Sequence, residues 1–264
     1  MDSLIVVSNH SKNTFEGTTY EAIDQNTNQK VELKLQKEIT AVNYPVKTYE
    51  DLQPLELDLH FDFNFVTVAQ LGPRKNLENT IKWFLDEFKY EEVGLIVKTN
   101  VAKNCQVDRE VVHGRLMALL ADPDYADRKC KVYLLHGDLT DKEMHEIYVN
   151  PKVKSLLTFS HGEGFGLPIY EAAYTGIPVV STGWSGQLDF LVDEKGEDRF
   201  YNVSFDLLPI PEAAEWEGVL VKGSMWAYPR ENSAKNKMRQ CYDDYKTKNT
   251  SACEYAKEIK ERKY

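Results

Sequence analysis

From Phe65 onward, short β-branched apolar runs alternate with segments whose apolar residues recur every three or four positions. The runs predict five strands: Phe65 to Leu71, Val93 to Thr99, Lys131 to His136, Ser155 to Ser160 and Ile177 to Thr182. Between them Leu77, Ile81, Phe84, Leu85 and Phe88 keep one helical face, and Val112, Leu116, Leu119 and Leu120 keep another. Thr140 followed by Glu143 reads as a capping box opening a third helix, with Met144, Ile147 and Tyr148 as its buried stripe. Pro168 stands where a fourth helix would begin, a place that tolerates proline because a first-turn amide has no helical partner. Such alternation predicts an α/β fold, a doubly wound parallel sheet occupying residues 61–230.

The flanks read differently. Residues 1–60 hold one apolar strand, Leu4 to Val7, then a polar stretch rich in Asn, Thr and Gln, then extended-type sequence from Val31 to Val46. That is too little for a second doubly wound domain. After Asp189 the pattern loosens, and the tail over 231–264 is charged and helical, with Met238, Cys241, Tyr242 and Tyr245 spaced as one apolar face.

A chain of 264 residues with 42% hydrophobic content can bury one good core. No apolar run approaches the ~18 residues of a membrane helix, and Met1 to Lys12 lack the basic, apolar, small-residue order of a signal peptide. A cytoplasmic location is therefore expected. Cys105, Cys130, Cys241 and Cys253 have neither zinc-site spacing nor disulfide-framework density and are read as reduced thiols. No metal site is expected. A net charge of −10 argues against a nucleic-acid partner, since phosphates need a basic face. A small anion could still sit in one local basic pocket.

In an open parallel sheet ligands bind beyond the carboxyl ends of the strands, where helix N-termini also point free amides. The unusual residues collect there: Arg74 and Lys75 after the first strand, Lys98 ending the second, Gly137 and Asp138 after the third, His161 to Gly166 after the fourth, and Gly183-Trp184-Ser185-Gly186 after the fifth. Arg74 and Lys75 precede a helix expected to start near Asn76, so positive side chains and helical amides would converge on one point suited to a diphosphate. A solvated basic turn explains them as well. Lys98 could equally be snorkelling to solvent. Gly162, Gly164 and Gly166 allow close approach of backbone to a ligand, or simply a tight turn. Glu163 and Glu171, eight residues apart, can accept hydrogen bonds from the hydroxyls of a sugar and a ribose.

Here the sequence resembles a known family. Glu163-Gly-Phe-Gly-Leu-Pro-x-x-Glu171-Ala, followed by Gly176-Ile-Pro-Val-Val, is similar to the paired-glutamate region of retaining GT-B glycosyltransferases, especially glycosyltransferase family 4 (group 1). Val68 to Asn76 resembles that family's first-strand loop, except that Gln70 stands where the family usually has arginine, and Arg74 could substitute. The resemblance covers roughly Phe65 to Pro229 and implies the Rossmann-like C-terminal half of a GT-B fold.

It also implies roles. Glu163 would hold hydroxyls of a transferred hexose, and Lys75, with Arg74, would neutralise the leaving diphosphate. Gly164, Phe165, Gly166 and Leu167 would line sugar and phosphate, and Lys98 would lie nearby. Glu171 would bind the ribose, and the stretch from Gly137 to Leu139 would hold the base. His161 is a pocket-wall candidate or a satisfied structural histidine. No cofactor is implied; the donor would be a UDP-, GDP- or ADP-sugar, transferred with retention and without a metal to a glycan or other acceptor.

The segment from Leu4 to Phe15 resembles the last strand of the family's N-terminal domain, and Ile39 to Val46 its approach to the linker. Most of an acceptor domain would then be absent, and the tail would return to pack on it. That predicts a gene fragment or half of a split enzyme, binding donor with little transfer, its docking face open to a separate chain or to self-association. Two other readings compete. A non-catalytic nucleotide-sugar-binding module would keep Lys75, Glu163 and Glu171. An NAD-dependent oxidoreductase fits poorly, because the third glycine of its fingerprint would fall at Leu167 and the next strand lacks an acidic end. Gly183-Trp-Ser185-Gly186 does not make a serine-hydrolase elbow, since Gln187 stands where glycine is needed.

Overall fold

The computed structural model describes residues 3–45, 47–247 and 252–261. Val46, the Cys253 side chain and the tail residues 248–251 and 262–264 lie outside the described residues. The amino-terminal segment forms β1 (Ser3–Val6), α1 (Asn9–Gly17), β2 (Thr19–Ile23), β3 (Lys30–Lys34) and β4 (Glu38–Ala41). β1 and β4 pair in parallel, and β2 and β3 make a separate antiparallel hairpin. The Ser8 hydroxyl caps α1 by accepting the Ser11 amide at 3.2 Å. Ile5, Tyr20, Ile23 and Leu33 stay exposed on this segment.

The sheet follows: β5 (Asn64–Val68), β6 (Gly94–Lys98), β7 (Lys131–Leu135), β8 (Val153–Thr158), β9 (Val179–Thr182) and β10 (Tyr201–Val203). They alternate with α2 (Leu77–Phe88), α3 (Gln106–Leu120), α4 (Asp141–Tyr148), α5 (Leu167–Thr175) and the short α6 (Leu188–Leu191). All six strands are parallel, in the order β7-β6-β5-β8-β9-β10. The chain works outward from β5 on one side and resumes at β8 on the other, so the order reverses between β5 and β8. That reversal leaves a crevice at their carboxyl ends.

Successive side chains along each strand serve opposite layers. Phe65, Leu95, Val97, Leu157 and Val180 join α2 in one core, while Val66, Ile96, Leu156 and Val179 join α4 and α5 in the other. Burial on both faces explains why the strands read as continuous apolar runs. The five predicted strands form, but several runs outlast the regular strand, because Ala69, Leu71 and Phe159 still pack on the core past its end, with the Ala69 and Leu71 amides bonded to Lys98 and Asn100. β10 was not foreseen; three residues carry no periodicity. The capping box is present, with Thr140 donating its amide to Glu143 at 2.7 Å and accepting the Glu143 amide at 3.2 Å.

A ribbon, β11 (Phe205–Pro209) with β12 (Met225–Pro229), precedes α7 (Glu231–Lys246) and α8 (Ala252–Glu261). In the tail, α7 lays Met238, Cys241 and Tyr242 over the α2 layer, and α8 lays Tyr255 and Ile259 over the α5 layer. Arg239 pins α7 by ion pairs to Glu87 at 2.7 Å and Glu91 at 3.2 Å. The apolar stripes of these helices find their complement in the two half-covered faces of the sheet. Cys105, Cys130 and Cys241 are free thiols, and burial pushes Cys130 up to about 11 and Cys241 up to about 12. Among the described residues no helix is long and apolar enough to cross a membrane.

Candidate functional site

The crevice between β5 and β8 holds a cluster of charge. Residues Pro73–Lys75 form one turn of 3-10 helix, and Asn76 then takes a left-handed conformation, φ 51°, before α2 starts at Leu77. The turn sends the side chains of Arg74 and Lys75 across to the loop after β8. There Lys75 Nζ meets Glu163 Oε1 at 2.6 Å, and Arg74 meets Glu163 Oε2 at 3.2 Å. The Arg74 guanidinium also donates to the Gly162 carbonyl. Glu163 is largely covered, so the pairing is less weakened by water than a surface ion pair. Both cationic side chains turn toward Glu163. The first turn of α2, Asn76 to Asn79, lines a separate cleft of about 260 Å³.

The Glu163 loop is held from behind by a strand end that the sequence reading left without a role. The Glu163 amide donates to Ser185 Oγ at 2.8 Å, Ser185 donates to Gln187 at 2.9 Å, and Gln187 donates to the Thr182 carbonyl at 3.0 Å. The Gly186 amide returns a bond to the Glu163 carbonyl at 3.0 Å. A Cβ at Gly186 would lie 2.0 Å from the Gly164 carbonyl oxygen, so no other residue fits. Ser185 pays for this closeness with φ 85°, a left-handed conformation that a β-carbon disfavours. Gly162 is constrained less tightly: a Cβ there would meet the Trp184 ring at 2.9 Å, so that side chain would have to shift.

Other predicted residues divide between cleft and scaffold. Gly164 is exposed, Leu167 is exposed at the start of α5, and Gly166 precedes that helix with φ 94°. Phe165 is not a cleft side chain. Its ring is buried against Tyr44, Tyr170 and Phe190, so only its backbone faces the loop's outer side. His161 is likewise a scaffold residue: buried, stacked on Trp226 at 5.3 Å, with Nδ1 2.9 Å from the Ala227 carbonyl. That carbonyl fixes the tautomer with the proton on Nδ1, and burial holds the imidazole neutral by lowering its pKa.

Lys98 donates to the Gly137 carbonyl at 2.7 Å, tying the ends of β6 and β7 together. Burial lowers its pKa, opposed by Asp138. Beside it Asp108 accepts the amides of Val101, Ala102 and Lys103 and pairs with His136 at 2.9 Å. Burial would raise the Asp108 carboxyl, but these donors outweigh it and hold the group well below the usual range. Leu139 packs on the α4–α5 core. Gln70 donates to the Val101 carbonyl at 2.6 Å, so at this loop the cations near Glu163 are Arg74 and Lys75.

Glu171 sits apart from Glu163, on α5 beside the buried Tyr148. Burial pushes its carboxyl up to about 7, Asp141 adds to the rise, and the Tyr148 hydroxyl offsets part of it. The Tyr148 hydroxyl makes no hydrogen bond of regular geometry, although it interacts with the Glu171 carboxyl. A group whose ionisation is this costly, next to an underused hydroxyl, is poised to gain from donors brought by a ligand.

The sequence reading also missed what the amino-terminal segment does. Asp189 Oδ2 accepts the Asn9 amide at 2.8 Å, the Asn9 side chain at 3.2 Å and the Asn43 side chain at 3.1 Å. These bonds hold α1 over the strand ends. Between α1 and the Glu163 loop lies a cleft of about 300 Å³, lined by His10, Phe15, Arg74, Glu163, Trp184 and Trp226 among others.

Solved structures share this architecture. Sucrose-phosphate synthase from Thermosynechococcus elongatus superposes with a TM-score of 0.60 at 14% identity, covering 98% of this chain and 53% of that one. A point mutant of S. aureus TarM, in complex with fondaparinux, alpha-GlcNAc-glycerol and UDP, gives 0.53 at 14% identity over 99% of this chain and 40% of its own. The C-terminal domain of the group 1 glycosyl transferase LpcC from Francisella tularensis gives 0.51 at 14% identity over 79% and 93%. The fold is of the kind seen in the Rossmann-like C-terminal domains of GT-B glycosyltransferases. The chain spans about half the length of the synthase it matches. Its sequence matches no protein-family model and no curated protein.

Proposed function

We propose that this chain binds a nucleotide diphosphate sugar and supplies the donor half of a retaining, group 1-type hexosyltransferase. The observation that carries the reading is the meeting of Arg74 and Lys75 with Glu163 at the reversal of strand order, where an α/β sheet places its ligand. Arg74 and Lys75 take the diphosphate and stabilise its departure by electrostatics alone. Glu163 orients sugar hydroxyls with the backbone of Gly164 to Gly166, Glu171 takes the ribose, and the loop from Gly137 to Leu139 takes the base. No metal is needed where two cations already face the leaving group. Exposed Ile5, Ile23 and Leu33 leave scattered apolar surface on the amino-terminal segment, where a further domain, a partner chain or a second copy would dock.

Calorimetric titration with UDP, GDP and ADP tests this, with UDP first because TarM is described with UDP bound. One nucleotide should bind, and Lys75→Ala should weaken it by about tenfold or more, the worth of a charge-assisted hydrogen bond. A folded chain that binds none of the three, or binds one equally well without Lys75, overturns the reading. Turnover of the bound donor, alone or with a partner chain, separates a transferase from a binding module that only keeps the sugar.

A further inference from the structure

A buried pair, Asp108 with His136, ties together the loops at the carboxyl ends of β5, β6 and β7. Asp108 lies in the first turn of α3, and its carboxylate reaches back to the loop after β6. There it accepts the amides of Val101 at 2.9 Å, Ala102 at 2.7 Å and Lys103 at 2.9 Å. Its Oδ1 also meets Nε2 of His136, at the end of β7, at 2.9 Å, and both side chains are almost fully covered. A carboxylate only accepts, so His136 carries a proton on Nε2. A favourable charge at the start of α3 explains an acid at this position. It explains neither the histidine nor the three amides of a loop outside the helix.

Each end of this arrangement is fastened to a part of the candidate site. On one side the loop after β6 is bound to the segment that leads into Arg74 and Lys75: the Leu71 amide donates to the Asn100 carbonyl at 2.7 Å, and Gln70 to the Val101 carbonyl at 2.6 Å. On the other side His136 immediately precedes Gly137, whose carbonyl is taken by Lys98 at 2.7 Å and whose φ is 118°. The amides of Gly137, Asp138 and Leu139 donate to no group among the described residues. A loop with three unused donors must be held from behind if those donors are to meet a ligand at fixed positions.

We propose that Asp108 and His136 are positioning residues for the nucleobase. Without touching the nucleotide, they fix the loop from Gly137 to Leu139 relative to Arg74 and Lys75, and so set which base is accepted. The inference rests on the donor reading. A nucleoside diphosphate has a limited span, so anchoring its phosphates at Arg74 and Lys75 leaves the base few places to go. Bases differ in where their edges carry donors and acceptors, and only a loop held in one place can tell them apart.

The test compares two substitutions of like polarity and different reach. The amide of His136→Gln can take the place of Nε2 and donate to Asp108, whereas that of His136→Asn stops short. Calorimetry with UDP, GDP and ADP should show that His136→Asn weakens the preferred nucleotide by about tenfold while the other two change little. His136→Gln should bind like the wild type, and thermal melts verify that both variants fold. Hydrogen exchange on the wild-type chain needs no variant. The preferred nucleotide should slow exchange of the Val101, Ala102 and Lys103 amides, which it does not touch, by about fivefold or more, because coupling is reciprocal. Should His136→Asn fail to melt cooperatively, the exchange measurement decides alone. Unchanged preference in His136→Asn, equal weakening of all three nucleotides, the same loss in both variants, or no slowing at Val101 to Lys103 overturns the positioning role while the donor reading stands. A folded wild-type chain that binds none of the three overturns both.

Discussion

Replacing Glu171 by glutamine should make the ligand-free protein more stable at pH 8 while impairing nucleotide binding. In the folded chain the carboxyl is pushed from 4.5 to about 7, chiefly by burial and further by Asp141. Below pH 4.5 the group is protonated in both folded and unfolded chains and affects nothing. As pH rises from 4.5 to about 7, the unfolded chain releases the proton while the folded one retains it, so stability falls across that window and levels off above it. At about 1.4 kcal/mol for each factor of ten, the full difference is roughly 3 kcal/mol. Partial solvent contact reduces it to about 1–2 kcal/mol. For a domain of this size that is a gain of roughly 3–6 °C in melting temperature. Melting curves of wild type and Glu171→Gln at pH 4.5 and pH 8 check it: the curves should coincide at the lower pH and separate at the higher. Equal stability at pH 8, or the same gain at both pH values, would refute the assignment of the strain to ionisation.

Two further substitutions probe the scaffold of the site. Gly186→Ala should cost roughly 1–3 kcal/mol by overpacking against Gly164 and should abolish UDP binding by displacing the Glu163 loop; unchanged affinity would show that the loop is not held there. Asp189→Ala should loosen α1 alone, raising hydrogen exchange of its amides by about tenfold or more while amides of β5 and β8 stay protected.

Much of the sheet was legible because strands buried on both faces leave an unmistakable run of apolar residues, and the α4 capping box is a local signature. The charge cluster was legible in part: Arg74, Lys75 and Glu163 stand at strand ends, and strand ends converge. The rest depends on contacts that no local pattern encodes. Asn9 and Asp189 are separated by 180 positions, and nothing about either residue announces the other. Phe165 and His161 sit inside the glycine-rich motif, yet their side chains turn into the core, because a loop that faces a ligand with its backbone must anchor itself with what points the other way. Ser185 and Gln187 looked like the remnant of an unrelated motif. Their worth lies in a relay of three hydrogen bonds that becomes visible only when β9 is placed beside β8.

If Arg74 and Lys75 take a diphosphate as proposed, the ion pairs at Glu163 would make the site its own inhibitor. With both cations already paired to one carboxylate, an incoming anion would have to trade places with an oxygen of the protein rather than settle onto bare charge. Chloride or a lone phosphate gains little from such an exchange. A diphosphate tethered to a nucleoside gains more, because its other contacts hold it in place while the swap occurs, and the displaced Glu163 is then released toward whatever hydroxyl lies nearest. Selectivity against the abundant small anions of a cell would thus come from a competitor that is part of the chain.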